Sequence, residues 1–423
     1  MNFAFRICFG FRISSFAIPL RHRRARDLRG GDGRANCHSP GTAHYPLPTN
    51  HYPLTTIHFF RLLLLGFSLL ASGCLSDPPE FNLNTEGRDA AEVSLAQREA
   101  LEETLEGLFG TPDVPLAPDG SGLTIELLGQ AAGSVRSDEK GRQYGLYRQH
   151  CAGCHGISGD GAGPSAGLLN PYPRDFRNGV FKYTSTMAGA KPTRDDLVRT
   201  LRHGLPGSAM PSFRNLPGEE IEALVEYIKY LAIRGETELF LFQLIVDEDE
   251  YLPLDSMAKE MVADEIAWYG RLWEDAEGQK VAPPLPPRVD TPELWAASLA
   301  VGRRLYASKD AECVKCHGPE GRGDGEQTEL YDDWNQRKKG VTPELTRQMA
   351  DRFALPIQQL RPRDYTEGVY RGGDRPIDLY WRIHVGIKGT PMPAAGPAPG
   401  SDGVYTPEEI WHLVNYLLSL RKK

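Results

Sequence analysis

The sequence has no long apolar run, few methionines and no net positive charge. Its longest apolar run, after His58, spans only about ten residues, whereas a helix needs ~20 to cross a bilayer. Methionine occurs seven times in 423 residues. The net charge is -8, and because residues 1–73 carry nine Arg, no Lys and two Asp, the remaining chain carries -15. Such acidity disfavours nucleic acid as a partner and favours docking to basic protein surfaces.

The chain is too long for one hydrophobic core. At 423 residues, two or three domains are expected. Hydrophobic residues make up 40% and charged residues 25%, as in ordinary soluble proteins. The 44 Gly and 33 Pro indicate long, loop-rich connections.

An export signal precedes the mature chain. From His58 the sequence runs HFFRLLLLGFSLLASGC, with one cation, an apolar core and small residues before Cys74, which is typical of a secretory signal. Ala-Ser-Gly-Cys resembles a bacterial lipobox and predicts a lipid on Cys74 that anchors the protein to a membrane in the periplasm. Ala71 replaces the usual Leu, and ordinary signal cleavage or an uncleaved anchor are the alternatives.

Residues 1–57 are rich in Arg and Pro and stand ahead of this signal. We interpret them as the product of a start codon assigned too early. An unusually long N-terminal region of the signal is the alternative.

Four of the seven cysteines form two matched motifs. They read Cys151-Ala-Gly-Cys154-His155 and Cys313-Val-Lys-Cys316-His317. This is the attachment signature of c-type haem: the two thiols meet the two vinyl groups of one haem, and the adjacent histidine reaches the iron. A zinc site, a dithiol redox pair or a disulfide would also use C-x-x-C. The histidine after each pair and the export signal favour two covalently bound haem c groups.

Methionine follows each haem motif at a matched place. Met210 ends Gly204-Leu-Pro-Gly-Ser-Ala-Met, and Met392 ends Gly386-Ile-Lys-Gly-Thr-Pro-Met. A lone methionine is usually a packing residue. The repetition instead predicts that Met210 and Met392 are the sixth iron ligands opposite His155 and His317, an arrangement that raises the reduction potential.

An internal repeat defines the domains. Residues Pro173–Lys182 recur as Pro362–Arg371, an offset of 189, whereas the haem cysteines are offset by 162 and the two methionines by 182. The second copy therefore has 27 additional residues near Glu326–Ala354, and the first has seven near Ser185–Lys191. We expect polar surface helices in the longer insert, with a functional site as the alternative. The sequence contains two copies of one unit.

These motifs resemble the class I cytochrome c family over about 137–235 and 293–423. The resemblance implies an all-α fold in which the first and last helices cross near the haem. It also implies that a loop proline carbonyl accepts a hydrogen bond from the haem histidine, a role for Pro164 with no counterpart in the second copy.

The remaining segments connect these two domains. Residues 74–136 are expected to be helical and linking, with one helix in 86–109. Residues 236–292 are expected to hold two helices followed by a stiff, Pro-rich linker. Before the last helix, Thr406 and Glu409 have the spacing of a capping box.

Two arginines are candidates for contact with the haem propionates. Arg174 and Arg363 occupy equivalent positions in the repeat, and a partly buried carboxylate needs a cationic partner. A solvated surface arginine is the alternative at each position.

The pattern favours an electron carrier over an enzyme. We expect a dihaem cytochrome of a bacterial respiratory chain, at the outer face of the cytoplasmic membrane, that exchanges electrons with a quinol-oxidising complex, an oxidase or a dehydrogenase. The alternatives are a haem enzyme, such as a peroxidase or dehydrogenase, and a permanent cytochrome subunit of a larger oxidoreductase complex.

Overall fold

A computed structural model describes residues 78–84, 93–247, 256–333 and 355–421. Both haem motifs lie in one compact unit, Ser76–Lys423. Over the described residues the regular secondary structure of this unit is helical apart from a two-stranded sheet, which confirms the all-α prediction. Within the same residues, no helix is long and apolar enough to cross a membrane. Cys74, the predicted export signal and most of the 27-residue insert lie outside the described residues.

The helices, in chain order, have the following bounds: α1 Leu95–Phe109, α2 Ile125–Ala131, α3 Leu146–His150, α4 Ala152–His155, α5 Arg194–His203, α6 Gly218–Phe242, α7 Ser256–Glu274, α8 Pro292–Tyr306, α9 Cys313–His317, α10 Pro376–Val385 and α11 Pro407–Ser419. Two short antiparallel strands, β1 Arg136–Ser137 and β2 Gln143–Tyr144, pair before α3. Single 3₁₀ turns cover Ala166–Leu168, Asp275–Gln279 and Tyr365–Glu367, and a π-helical turn covers Gln243–Asp247.

The first domain is built around α6. Its buried residues include consecutive positions and so lie on most sides of the helix, which makes α6 the central helix against which the others of this domain pack. The helix that precedes the haem motif, α3, has only five residues because Gly145 adopts a left-handed conformation at its start. The ring of Tyr147 on α3 lies 4.8 Å from that of Tyr227 on α6. Helix α2 also packs on α6 and so extends this short contact.

The second domain has a full crossing of its first and last helices. Helix α8 packs against α11 at Gly302, where a Cβ atom would lie 2.1 Å from the carbonyl oxygen of His412. Only glycine fits at this point. The predicted capping box begins α11: Thr406 accepts from the Glu409 amide at 3.2 Å, and the Thr406 amide donates to the Glu409 carboxylate at 2.9 Å.

One linker prediction was wrong. Helix α6 continues without a break through residue 235 to Phe242, so the segment 236–280 contains the end of this helix and α7 in place of two separate helices. The boundary placed at 235 falls inside a helix, while the domain limits as a whole stay a prediction. The expected helix in 86–109 is present as α1 from Leu95.

The linker after α7 is held by both domains. The Val281 amide donates to the Ser185 carbonyl at 2.9 Å, and the indole of Trp381 donates to the Val281 carbonyl at 3.1 Å. The indole of Trp411 donates to the Pro284 carbonyl at 2.9 Å. The Pro-rich segment is therefore pinned to the last two helices of the second domain.

Candidate haem-binding clefts

Each C-x-x-C-H motif forms a short helix. In α4 the His155 amide donates to the Cys151 carbonyl at 2.8 Å, and α9 spans the second motif itself. Positions three apart on a helix lie on neighbouring faces, which brings the two thiols of a motif to one side. All four cysteines are free, so their sulfurs are available for thioether bonds.

A glycine-rich loop closes on each motif in the same way. In the first domain the Gly161 amide donates to the His155 carbonyl at 3.0 Å, and the Gly163 amide to the Cys154 carbonyl at 3.0 Å. The second domain repeats both bonds, from Gly323 to His317 at 2.9 Å and from Gly325 to Cys316 at 3.2 Å. A Cβ at Gly163 would lie 2.5 Å from the Ala152 carbonyl oxygen, so glycine is required by this close approach.

The repeated Pro-Arg segment orients each haem histidine. His155 Nδ1 lies 2.9 Å from the carbonyl oxygen of Arg174, and His317 Nδ1 lies 3.5 Å from that of Arg363. The prediction that Pro164 supplies this carbonyl was wrong, because the loop carbonyl comes from Arg174 and its equivalent in the second copy. Such a bond holds the ring so that Nε2 is the nitrogen left for a metal.

Burial keeps both histidines neutral. Loss of solvent lowers the pKa of His155, against the opposing effect of the Arg174 carbonyl. It lowers the pKa of His317 to about 4. Neutral imidazole is the form that coordinates iron. Burial also raises the pKa of Cys151 to about 12 and that of Cys313 to about 11, so both are neutral thiols near pH 7.

An aromatic ring stacks on each histidine, and here the two domains differ. The Phe176 ring is 4.5 Å from the His155 ring, and the equivalent Tyr365 ring is 4.8 Å from the His317 ring. The Tyr365 hydroxyl lies 3.2 Å from His317 Nε2. Phenylalanine offers no such polar group to the first histidine.

The two methionine loops share one set of hydrogen bonds. In the first, the Leu205 amide donates to the Met210 carbonyl at 3.1 Å, and the Ser208 hydroxyl accepts from the Met210 amide at 3.3 Å. In the second, Ile387 and Thr390 make the equivalent bonds with Met392, at 3.1 and 3.2 Å. Two separate loops thus present methionine in the same local conformation.

The structure brings the predicted site residues together in two clefts. The first is lined by Cys151, Cys154, His155, Met210 and Arg174, and the second by Cys313, Cys316, His317, Met392 and Arg363. Apolar side chains such as Leu201, Phe213 and Ile228, or Leu379, Leu413 and Leu417, complete the walls.

The polar groups of the clefts fit a dianionic macrocycle. Arg174 Nη2 and Arg363 Nε are buried and have no hydrogen-bond partner among the described residues. A buried donor of this kind is costly unless it meets an acceptor. Propionate groups would supply that acceptor, and the thiols, histidine and methionine of each cleft supply the attachment and axial groups of a haem c.

Comparisons with known proteins agree with this geometry. Residues 140–228 match the family described as cytochrome c oxidase, cbb3-type, subunit III, and residues 299–421 match the cytochrome c family. The chain is a dihaem c-type cytochrome. Two haem c groups, each covalently bound, are its cofactors, as two such domains imply.

One solved structure similar to this cytochrome is a chain of the reducing HAO-like protein complex of Kuenenia stuttgartiensis. It is 26% identical, with a TM-score of 0.45, over 68% of this chain and 98% of that one. No significant match was found among curated proteins.

Sequence reasoning missed three residues of the dihaem cytochrome. Lys182, Tyr183 and Arg371 line both clefts. Lys182 and Arg371 end the two copies of the repeated segment and are equivalent to each other. The sequence could have indicated Lys182 and Arg371, because both copies of the repeated segment end in a cationic residue.

Proposed function

We propose that this cytochrome carries single electrons between respiratory-chain partners at the outer face of the cytoplasmic membrane. Haem-based electron transfer follows from its two cytochrome c domains. The observation that supports a pure carrier is that each cleft contains a histidine and a methionine of the same repeat. The histidine and the methionine of each cleft would both bind the haem iron, which would leave no coordination site for a substrate.

The lining of the clefts supports the following residue roles. Cys151 and Cys154 would form the thioethers of the first haem, with His155 and Met210 as axial ligands. The equivalent set for the second haem is Cys313, Cys316, His317 and Met392. When bound, the haem iron supplies one-electron oxidation and reduction.

The chain prepares each cleft for this chemistry. The carbonyls of Arg174 and Arg363 fix the histidine rings, which limits reorganisation when the charge of the site changes. Apolar walls exclude water, and Arg174 and Arg363 would offset the negative charge of the propionates. The orienting carbonyls come from loops, whereas wall residues such as Leu201, Ile228 and Leu413 lie on helices.

Attachment to a membrane is the second part of the proposal. The signal-like sequence before Cys74 supports a lipid anchor, while the acidic mature chain suits basic redox partners. Cys74→Ser should release the cytochrome from the membrane fraction without changing its haem content. Retention of this variant on membranes, after high-salt washing, would contradict the lipid anchor.

Spectroscopy of protein produced with haem-maturation machinery tests the ligand assignment. We expect two haems per chain and a methionine–iron charge-transfer band from each. Met210→Ala and Met392→Ala should each remove one band and leave the other. Met261→Ala is the matched control, because Met261 is 42% exposed and lines neither cleft. A variant of either cleft methionine that kept both bands would overturn the assignment.

Ligand binding separates the carrier from a haem enzyme. Carbon monoxide added to the reduced protein, or hydrogen peroxide added to the oxidised protein, should react slowly because no axial position is open. Rapid reaction at one haem of the native protein would favour a peroxidase or dehydrogenase. Purification with stoichiometric membrane subunits would instead indicate a permanent subunit of a larger complex.

A further inference from the structure

The two clefts share part of their walls. Lys182 and Tyr183 follow the haem motif of the first domain, yet they also line the second cleft. Arg371 belongs to the second domain and also lines the first cleft. A single layer of side chains, two of them cationic, therefore separates the clefts at this point.

On both sides of this layer, arginines of one domain approach the methionine loop of the other domain. The Arg371 guanidinium donates through Nε to the Gly207 carbonyl, in the Met210 loop, at 3.2 Å. Gly389 is equivalent to Gly207 in the Met392 loop, and a Cβ there would lie 2.7 Å from Arg174 Nη2. Arg363 approaches Gly207 in the same manner, with Nη1 at 2.9 Å from the Cβ position. Each domain thus places cations against the methionine loop of the other.

Tyr183 packs tightly inside this layer. A Cβ at Gly372 would meet the Tyr183 ring at 2.5 Å, and the guanidinium of Arg382 lies 5.8 Å from the ring centre. Burial raises the pKa of Tyr183, although Arg371 and Arg382 partly oppose this. The phenol is therefore neutral, and the charge of the layer comes from its cations.

The cations are only partly compensated. Lys182 pairs with Asp332 of the second domain at 2.6 Å, with side chains 15% and 6% exposed. Burial lowers the pKa of both Lys182 and Arg371. Holding such charges away from water is unfavourable unless anions lie nearby. One anionic haem on each side of the layer would supply the negative charge that these cations lack.

We propose that each haem site is completed by a cation of the other domain, with Arg371 acting on the first haem and Lys182 on the second. This inference rests on the proposed ligand assignment and extends it from two independent sites to one coupled pair. A nearby positive charge favours the ferrous state, since reduction adds an electron to the site. Removal of either cation should therefore lower the reduction potential of the haem in the opposite domain.

The experiment uses the full chain with one methionine–iron band removed. In the Met392→Ala background the remaining band reports the first haem alone. Adding Arg371→Gln should shift its ferric/ferrous equilibrium about tenfold toward ferric, or ~59 mV for one electron. In the Met210→Ala background, Lys182→Gln should shift the second haem in the same direction.

Lys229→Gln is the matched control. Lys229 is 18% exposed and pairs with Glu226, which is 9% exposed, so its burial is close to that of the Lys182–Asp332 pair. It lines neither cleft. Asp332→Asn should act in the opposite sense to Lys182→Gln and raise the potential of the second haem, because it leaves Lys182 uncompensated.

The outcomes separate this inference from the proposed function. Potentials that shift no more in Arg371→Gln and Lys182→Gln than in Lys229→Gln would overturn the cross-domain role. Arg371→Lys retains the charge and should restore most of the potential, whereas a failure to restore it would indicate a packing effect and also overturn the proposal. If Met392→Ala still shows two methionine–iron bands, the ligand assignment itself has failed.

Discussion

The two haem domains support equivalent sites on different helical frames. In the second, α8 and α11 cross through Gly302, whereas in the first the five-residue α3 and the separate α2 share the contact with α6. Around the haem motifs, however, the backbone hydrogen bonds of the glycine-rich loops and of the methionine loops are the same in both domains. The local loops, which touch the cofactor site directly, are more uniform than the helices that carry them.

The ring that stacks on each histidine departs from this uniformity. Phe176 gives the first histidine an apolar neighbour, and Tyr365 gives the second a hydroxyl 3.2 Å from Nε2. The Nδ1-to-carbonyl distance also differs, 2.9 Å in the first domain and 3.5 Å in the second. Since contacts around an axial histidine tune a haem, we expect the two haems to differ in reduction potential.

The largest expected difference between the domains concerns a buried ion pair in α6. Glu238 and Arg234 form an ion pair at 3.0 Å, with side chains 0% and 5% exposed. The backbone N–H of Asn84 also donates to the Glu238 carboxylate. Glu238→Ala leaves a buried charge and should destabilise the first domain by ~3–5 kcal/mol. Urea unfolding followed by the methionine–iron band, in the two single-methionine backgrounds, measures each domain separately.

Glu219→Ala is the control on the same helix. Glu219 pairs with Arg142 with both side chains more than half exposed, and its loss should cost less than ~1 kcal/mol. Equal destabilisation of both domains by Glu238→Ala would show that they unfold as one unit.

The helix crossing should make the second domain the more sensitive to a small change. Gly302→Ala places a Cβ against the His412 carbonyl and should cost ~1–3 kcal/mol in that domain. Gly129→Ala in α2 meets no atom within 4 Å and should stabilise the first domain by up to ~1 kcal/mol. The same unfolding measurement applies. If Gly302→Ala left the free energy of unfolding unchanged, this would contradict the close crossing of α8 and α11.

Two equivalent tyrosines should behave alike in both domains. Tyr147 donates to the Gly156 carbonyl at 2.9 Å, and Tyr306 to the Gly318 carbonyl at 2.7 Å. Tyr147→Phe and Tyr306→Phe should each cost ~0.5–1.5 kcal/mol, measured by urea unfolding of the matching domain. Unequal losses in the free energy of unfolding would show that the two sites differ in more than the helices that carry them.

The smallest expected effect is a pH dependence of the free energy of unfolding, which arises from Lys388 at the contact between the two domains. Lys388 Nζ donates to Thr186 Oγ1 at 2.9 Å and to the Ala190 carbonyl at 2.7 Å, both within the seven residues added to the first copy. Burial lowers the pKa of Lys388 from 10.5 to about 8, with Asp196 opposing the shift and Lys191 adding to it.

The sign follows from proton binding. Between pH 8 and 10.5 the unfolded chain binds the extra proton, so stability rises with pH in this window. From about pH 7.5 to about pH 8.5, the free energy of unfolding should rise by less than ~1 kcal/mol more in the parent protein than in Lys388→Met. An equal slope for both proteins, measured by urea unfolding, would contradict the lowered pKa.

The sequence by itself determined the chemistry of attachment. Two C-x-x-C-H motifs predict two covalent haems because the three reacting groups of each motif, two thiols and one imidazole, lie within five consecutive residues. The internal repeat predicted two domains of one family and paired Met210 with Met392, since equivalent positions survive insertions elsewhere. The all-α fold is confirmed, and Arg174 and Arg363 do line the two clefts.

Only the tertiary structure decided which residues from distant segments of the chain are in contact. The carbonyl that orients His155 comes from Arg174, nineteen residues away, and not from Pro164. Likewise, Lys182 and Arg371 line both clefts only because the two domains pack together. Spacing along the chain reports local geometry, but a contact between folded surfaces depends on how both are packed. The identity of the two haems was therefore encoded locally, and the wall they share arose from the packing of the domains.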